Sequence, residues 1–229
     1  ERAPTRGTYR GYEIVTRPPP ASGGPHLVQI LNMLEPLPLA QWGPNSAQTI
    51  HYMAESMKLA YADRAEYLGD PAFVSVPLAG LTSKKYADAL AQHIHPDSAR
   101  SAQTIKPGQP LPFESDQTTH YSVVDQAGNM VAVTYTLNTN FGTGIVAAGT
   151  GILLNNEMDD FSAKPGVPNA YGLVGGAANA VAPGKRPLSS MTPTLVLKEQ
   201  QPWLVTGSPG GARIITTVLQ QIVNGIDFG

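Results

Sequence analysis

Threonine becomes a strong catalyst when the chain is cut just before it. The cut leaves one residue with both a hydroxyl nucleophile and a free α-amine to serve as its base. Thr118 stands at a junction suited to this, where the polar run Glu114-Ser115-Asp116-Gln117 meets the pair Thr118-Thr119 and an alternating strand begins. Taken alone, a Thr-Thr pair is an ordinary way to open a strand. Sequence downstream gives this pair its interest.

Gly207-Ser208-Pro209-Gly210-Gly211 lies between a strand pattern and a helix start. Backbone N–H groups at such a turn, helped by the helix N-terminal dipole, suit an anion or an oxyanion. The segment lacks the Lys-Ser/Thr ending of a P-loop, so nucleotide binding is not expected. Glycine there also serves a purely structural turn. Glu157, Asp159 and Asp160 form an acidic cluster without an EF-hand pattern. An ammonium group fits it better than a metal, which wants three or more oxygens at suitable spacing; a solvated acidic turn is the other reading. Ser189-Ser190 follows Lys185-Arg186-Pro187, bringing hydroxyls and cations together where a carboxylate could dock, although Ser-Ser pairs commonly form turns. His26, His51, His93, His95 and His120 have no HExxH-like spacing and read as structural or surface residues. No metal site and no cofactor are expected.

Elements that would position these groups follow from periodicity. Leu27, Ile30, Leu31 and Leu34 fall at helical spacing after the lead-in Pro18-Pro19-Pro20-Ala21-Ser22-Gly23-Gly24, and Pro36 ends the run. A longer helix is expected over about 47–68, with Ala47, Ile50, Met53, Ala54, Met57, Ala60 and Tyr61 as its buried stripe and Lys58, Asp63 and Arg64 on other faces. A third is expected over about 83–94. Residues 96–117 turn to Ser, Gln, Pro and Lys without period, as a linker or cleavable segment does. The period then changes to two: strands over 120–125 and 130–137 flank the turn Gln126-Ala127-Gly128-Asn129. Residues 164–187 read as a long surface loop, 194–198 and 203–206 as a second hairpin, and Ile215, Val218, Leu219 and Ile222 as one face of a last helix. Helices, then strands, then a helix indicate an α+β or a layered α/β fold.

Bulk properties narrow the classes. A chain of 229 residues makes one large domain or two small ones, and its net charge of −2 argues against a nucleic-acid footprint. No apolar run reaches the roughly 18 residues of a membrane span. With no cysteine, disulfides and thiolate catalysis are excluded. The chain opens on Glu1 and stops at Gly229 just after an apolar helix pattern, so both ends read as cut.

Together these motifs resemble the γ-glutamyltranspeptidases, N-terminal-nucleophile hydrolases. The blocks that carry the likeness are 18–24, Tyr61-Ala62-Asp63-Arg64, 67–71, Thr118 to Asp125, Leu137-Asn138-Thr139-Asn140-Phe141-Gly142, 155–161, 185–191 and 207–211. The resemblance implies a layered αββα fold, incomplete here at both ends, and a precursor that cuts itself between Gln117 and Thr118. Residues 1–117 would then be the C-terminal part of a helical large subunit, and 118–229 the N-terminal part of a small catalytic subunit. Thr118 would attack a γ-glutamyl amide such as glutathione, and water, an amino acid or a dipeptide would release the acyl group. Thr136 would orient the nucleophile, and Gly210 and Gly211 would form the oxyanion hole. Asn138, Glu157 and Asp160 would hold the α-amino group, Ser189 and Ser190 the α-carboxylate, and Tyr171 would close a lid over the pocket. Glu157 stands where some bacterial members have Gln. A periplasmic or secreted location is implied. The resemblance also puts a carboxylate-binding arginine upstream of Glu1 and further strands beyond Gly229. The segment alone is therefore expected to be nearly inactive, with its 117–118 bond intact. The competing expectations are a cephalosporin (glutaryl) acylase of the same superfamily and a non-catalytic interaction domain.

Overall fold

Thr5 to Thr16 alternates β-branched and aromatic residues around Arg10-Gly11, and it folds as a hairpin in the computed structural model, which describes residues 1–102, 104–105, 118–169 and 172–229. Strands β1 (Thr5–Tyr9) and β2 (Tyr12–Thr16) pair antiparallel, and Arg10 and Gly11 take φ of 48° and 83°. Left-handed residues at both turn positions match the strand twist. This hairpin was not among the expected elements, because Arg stands where Asn usually signals the turn.

Helix α1 (Gly23–Leu34) is apolar on nearly every side, and all 12 of its residues are buried. Its glycine start has a steric cause: a Cβ on Gly23 would lie 1.9 Å from Thr192 Oγ1, and one on Gly24 2.1 Å from the Arg17 carbonyl oxygen. After the short α2 (Leu39–Trp42) comes α3 (Ala47–Tyr67), capped by Ser46, whose Oγ accepts from Thr49 N at 3.1 Å. The buried side of α3 differs from the expected stripe. Ile50 is 55% exposed, whereas Asp63 and Arg64 are buried. Asp63 accepts from Gln29 Nε2 (2.6 Å) and Tyr86 Oη (3.0 Å), so hydrogen bonds rather than apolar contact hold this face inside. Helices α4 (Leu78–Leu81) and α5 (Lys84–Ala91) complete the first half.

In the second half, β3 (Thr119–Val124) and β4 (Met130–Tyr135) form a two-stranded sheet. Strands β5 (Thr194–Lys198) and β6 (Gln201–Thr206) join the N-terminal hairpin in an antiparallel sheet ordered β1-β2-β5-β6. Helix α6 (Ile214–Asp227) then packs beside α1. The core closes where Ile14 and Val196, paired across β2 and β5, join Leu27, Ile30, Val218 and Ile222. The β3–β4 sheet leans on β6, where Ser122 Oγ donates to the Val205 carbonyl at 3.3 Å. Helices with antiparallel sheets make this an α+β fold.

The 164–187 stretch is less of a surface loop than expected. Among its described residues Asn179 is buried, and a 3₁₀ turn covers Ala177–Asn179. Gln117 and Tyr171, together with 106–116 of the expected linker, lie outside the described residues. No described helix is long and apolar enough to cross a membrane.

Candidate active site

The register of the β3–β4 hairpin sets the site. Thr119 pairs with Tyr135, so Thr118, one residue ahead of the strand, faces Thr136, one residue past its partner. Both line a cavity of about 20 Å³ together with Asn138, Asp160, Ser189, Ser190 and Gly211. That volume holds about one water. Thr118 and Thr136 also line a polar cleft of about 210 Å³ with Thr119, Tyr135, Thr139 and Asn140. The threonine thus stands between a small cavity and a larger polar one.

Each neighbour is held by local structure. Asn138 is buried with φ of 77°, a left-handed conformation uncommon outside glycine. Its backbone N–H donates to Thr136 Oγ1 at 2.9 Å, and its Nδ2 donates to the Asn156 carbonyl at 3.1 Å. Asp160 ends a 3₁₀ turn over Glu157–Asp160, and its carbonyl accepts from Asn179 Nδ2 at 2.7 Å. The Asn179 Oδ1 accepts from Leu188 N at 3.1 Å, which ties the acidic turn to the Ser189-Ser190 segment. Gly210 and Gly211 have φ of 121° and 51°, a bend open to glycine, and lead through a 3₁₀ turn into α6.

Two expected site residues lie apart from the small cavity. Gly210 is one residue removed from its wall, and Glu157 lines an adjoining cleft of about 360 Å³ with Arg17, Thr136 and Met191. Glu157 still communicates with Asp160. Burial, and then the neighbouring Glu157 carboxylate, hold Asp160 well above the usual carboxylate range. Burial also raises Glu157, with its hydrogen bond to Asp160 and the Arg17 charge opposing. The Glu157 carboxylate thus disfavours a second negative charge on Asp160.

The expected cations beside the serine pair are occupied elsewhere. Arg186 donates from Nε (2.8 Å) and Nη2 (2.5 Å) to the fully buried Asp70 carboxylate, and Lys185 Nζ donates to the Ala178 and Ala180 carbonyls. The cation that does reach the pair comes from α3: Arg64 Nη2 donates to Ser190 Oγ at 3.2 Å. One turn earlier, Tyr61 Oη donates to the Ala212 carbonyl at 2.7 Å, just after the glycine bend. Arg64, Tyr61, Asn179 and Asp70 are not among the expected site residues. Arg64, Tyr61 and Asp70 fall inside the blocks 61–64 and 67–71, and nothing in the sequence marks Asn179.

A threonine hydroxyl that faces other hydroxyls, an amide, a carboxyl and a glycine bend beside a helix start offers groups of the kind that acyl transfer uses. The fold is similar to that of a cephalosporin acylase from Bacillus halodurans, with a TM-score of 0.77 at 28% identity over 99% of this chain and 38% of that one. Sequence gives the family itself. Residues 1–229 match the Gamma-glutamyltranspeptidase profile, and the chain belongs to that family. It is 64% identical over 229 residues to the glutathione hydrolase proenzyme of Escherichia coli (strain K12), and 54% identical to that of Pseudomonas sp. (strain A14). In each case all of this chain aligns with 40% of the relative's length.

Proposed function

We propose that this chain carries the self-cleavage junction and much of the catalytic centre of an exported enzyme that hydrolyses or transfers γ-glutamyl groups, with glutathione the model donor. In this reading 1–117 belongs to the large subunit and 118–229 to the small one, within an αββα layering that the rest of the protein completes. The gathering of Thr118, Thr136, Asn138, Asp160, Ser189, Ser190 and Gly211 around one cavity is the observation that carries it.

Thr118 Oγ first attacks the Gln117 carbonyl carbon; the peptide C–N bond breaks, nitrogen leaves as the Thr118 amine, and water cleaves the resulting ester. The new α-amine has a reference pKa of about 7.7–8.0, so a good fraction is neutral at pH 7 to 8 and can take the Thr118 hydroxyl proton. Attack on the γ-carbonyl carbon then gives an acyl-enzyme and releases the leaving amine. Gly210 and Gly211 N–H groups would receive the oxyanion. Asn138, Glu157 and Asp160 would take the α-ammonium, Ser189 and Ser190 the α-carboxylate, and Tyr171 would close the pocket. Water or an amino-acid amine releases the product.

The likeness to a cephalosporin acylase favours one competitor, a glutaryl donor without the α-amine, and Asp160 separates the two. In the full-length protein, Asp160→Asn is expected to lower kcat/KM for γ-glutamyl-p-nitroanilide by about 10- to 100-fold, since a hydrogen bond to a charged group is lost. Turnover of glutaryl-p-nitroanilide should stay unchanged. Equal losses on both donors would contradict the ammonium role. Stability should move the opposite way. The folded pKa of Asp160 is raised, so its favourable contribution is complete below the unfolded value of about 3.9 and fades as pH rises through the folded value. Asp160→Asn is therefore expected to melt higher than the parent near neutral pH, with the gap closing toward pH 4.

A further inference from the structure

Arg64 is a buried cation without an ion-pair partner among the described residues. Burying an uncompensated charge is costly, and such a group persists where something anionic completes it or where fixed dipoles surround it. Its guanidinium faces two hydroxyls: Nε donates to Ser22 Oγ at 3.0 Å and Nη2 to Ser190 Oγ at 3.2 Å.

The two hydroxyls differ in what they can do next. Ser22 Oγ donates to the Ser189 carbonyl at 2.9 Å, and that carbonyl also accepts from Ser22 N at 2.7 Å. Ser189 N donates back to the Pro20 carbonyl at 3.0 Å, closing a backbone bridge. Ser22 is thus a splint that fixes the serine pair to the start of α1. Ser190, by contrast, lines the Thr118 cavity while its Oγ accepts from Arg64. A hydroxyl that accepts from a cation must aim its own proton elsewhere, and polarisation makes it a stronger donor.

We propose that Arg64 is a positioning residue for Ser190: it sets the rotation of that hydroxyl and strengthens it as a donor to the carboxylate of the bound substrate. This rests on the γ-glutamyl reading above and adds to it a cation that acts through Ser190 without touching the substrate. Ser22 and Arg64 would then specify a negatively charged group at this end of the site, a carboxylate in preference to its neutral amide.

The test uses the full-length protein and two donors, γ-glutamyl-p-nitroanilide and its α-carboxamide analogue. Arg64→Gln should lower kcat/KM for the carboxylate donor by about 10- to 100-fold, the scale of a charge-assisted bond. The carboxamide donor should lose much less, so discrimination between the two collapses. Combined with Ser190→Ala, the arginine change should add little further loss. Arg64→Lys keeps the charge and covers the case in which Arg64→Gln does not fold; it should retain part of the discrimination. Equal loss on both donors, or full additivity with Ser190→Ala, would overturn the proposal in favour of a purely structural arginine. Failure of the parent to turn over either donor would instead remove the γ-glutamyl reading on which it rests.

Discussion

Thr118→Ala in the full-length precursor is expected to abolish two reactions with one change: the precursor stays a single chain, and turnover of γ-glutamyl-p-nitroanilide falls by about 10⁴-fold or more, the scale set by removing a nucleophile. Both losses have one cause. In the proposed mechanism the hydroxyl is the attacking atom on the Gln117 carbonyl and later on the donor, and the α-amine that serves as base is only released by the first attack. Thr118→Ser keeps the hydroxyl and should restore cleavage and part of the turnover. The position of Thr118 supports this double use, because the hairpin register sets it opposite Thr136 between the small cavity and the polar cleft. A denaturing gel and a rate measurement check the pair of outcomes together. A Thr118→Ala protein that still cleaves itself at 117–118 would sink the assignment of the nucleophile.

The second large effect concerns stability. Asp70 is fully buried and accepts from Arg186 N (3.0 Å), Nε (2.8 Å) and Nη2 (2.5 Å), as well as from Ala72 N at 3.2 Å. Forked pairing of this kind is among the stronger protein interactions. Asp70→Ala leaves the guanidinium without its partner and a void where the carboxylate sat, and should destabilise by about 3 kcal/mol, the lower part of the range for breaking a buried pair. The lower part applies because the Arg186 side chain is 43% exposed and can be rehydrated. Since Arg186 begins the strap leading to Ser189 and Ser190, KM for the donor should rise as well. Chemical denaturation read beside steady-state kinetics would show both; an unchanged denaturation midpoint would refute the structural half.

How much could be read from sequence depended on the physical signal each part left. The α1 and α6 helices declare themselves by period because their inward faces are apolar, and the later two hairpins by the alternation of apolar and polar residues around their turns. The β1–β2 hairpin does not, since Arg10 occupies a left-handed turn position that Asn or Gly would have flagged. On α3 the rule that apolar residues face inward misassigned the buried side. Asp63 and Arg64 are inside because Gln29, Tyr86, Ser22 and Ser190 satisfy them, and a linear sequence does not show those partners. The site shows the same limit. Lys185 and Arg186 adjoin the serine pair in sequence, yet their bonds run to carbonyls and to Asp70, while the cation on Ser190 arrives from 126 residues away. Residue types at the junction suggested the chemistry; spatial pairing decides which neighbours assist it.

The central claim is that Thr118 becomes a free N-terminus and then carries the acyl group. Intact-mass and N-terminal analysis of the purified full-length protein, before and after brief exposure to a γ-glutamyl donor, tests it most directly. The account predicts two chains, the smaller beginning Thr118-Thr119-His120-Tyr121, and a γ-glutamyl mass increment on that chain at Thr118. An uncleaved protein that turns the donor over, or an increment on any other residue, would contradict it.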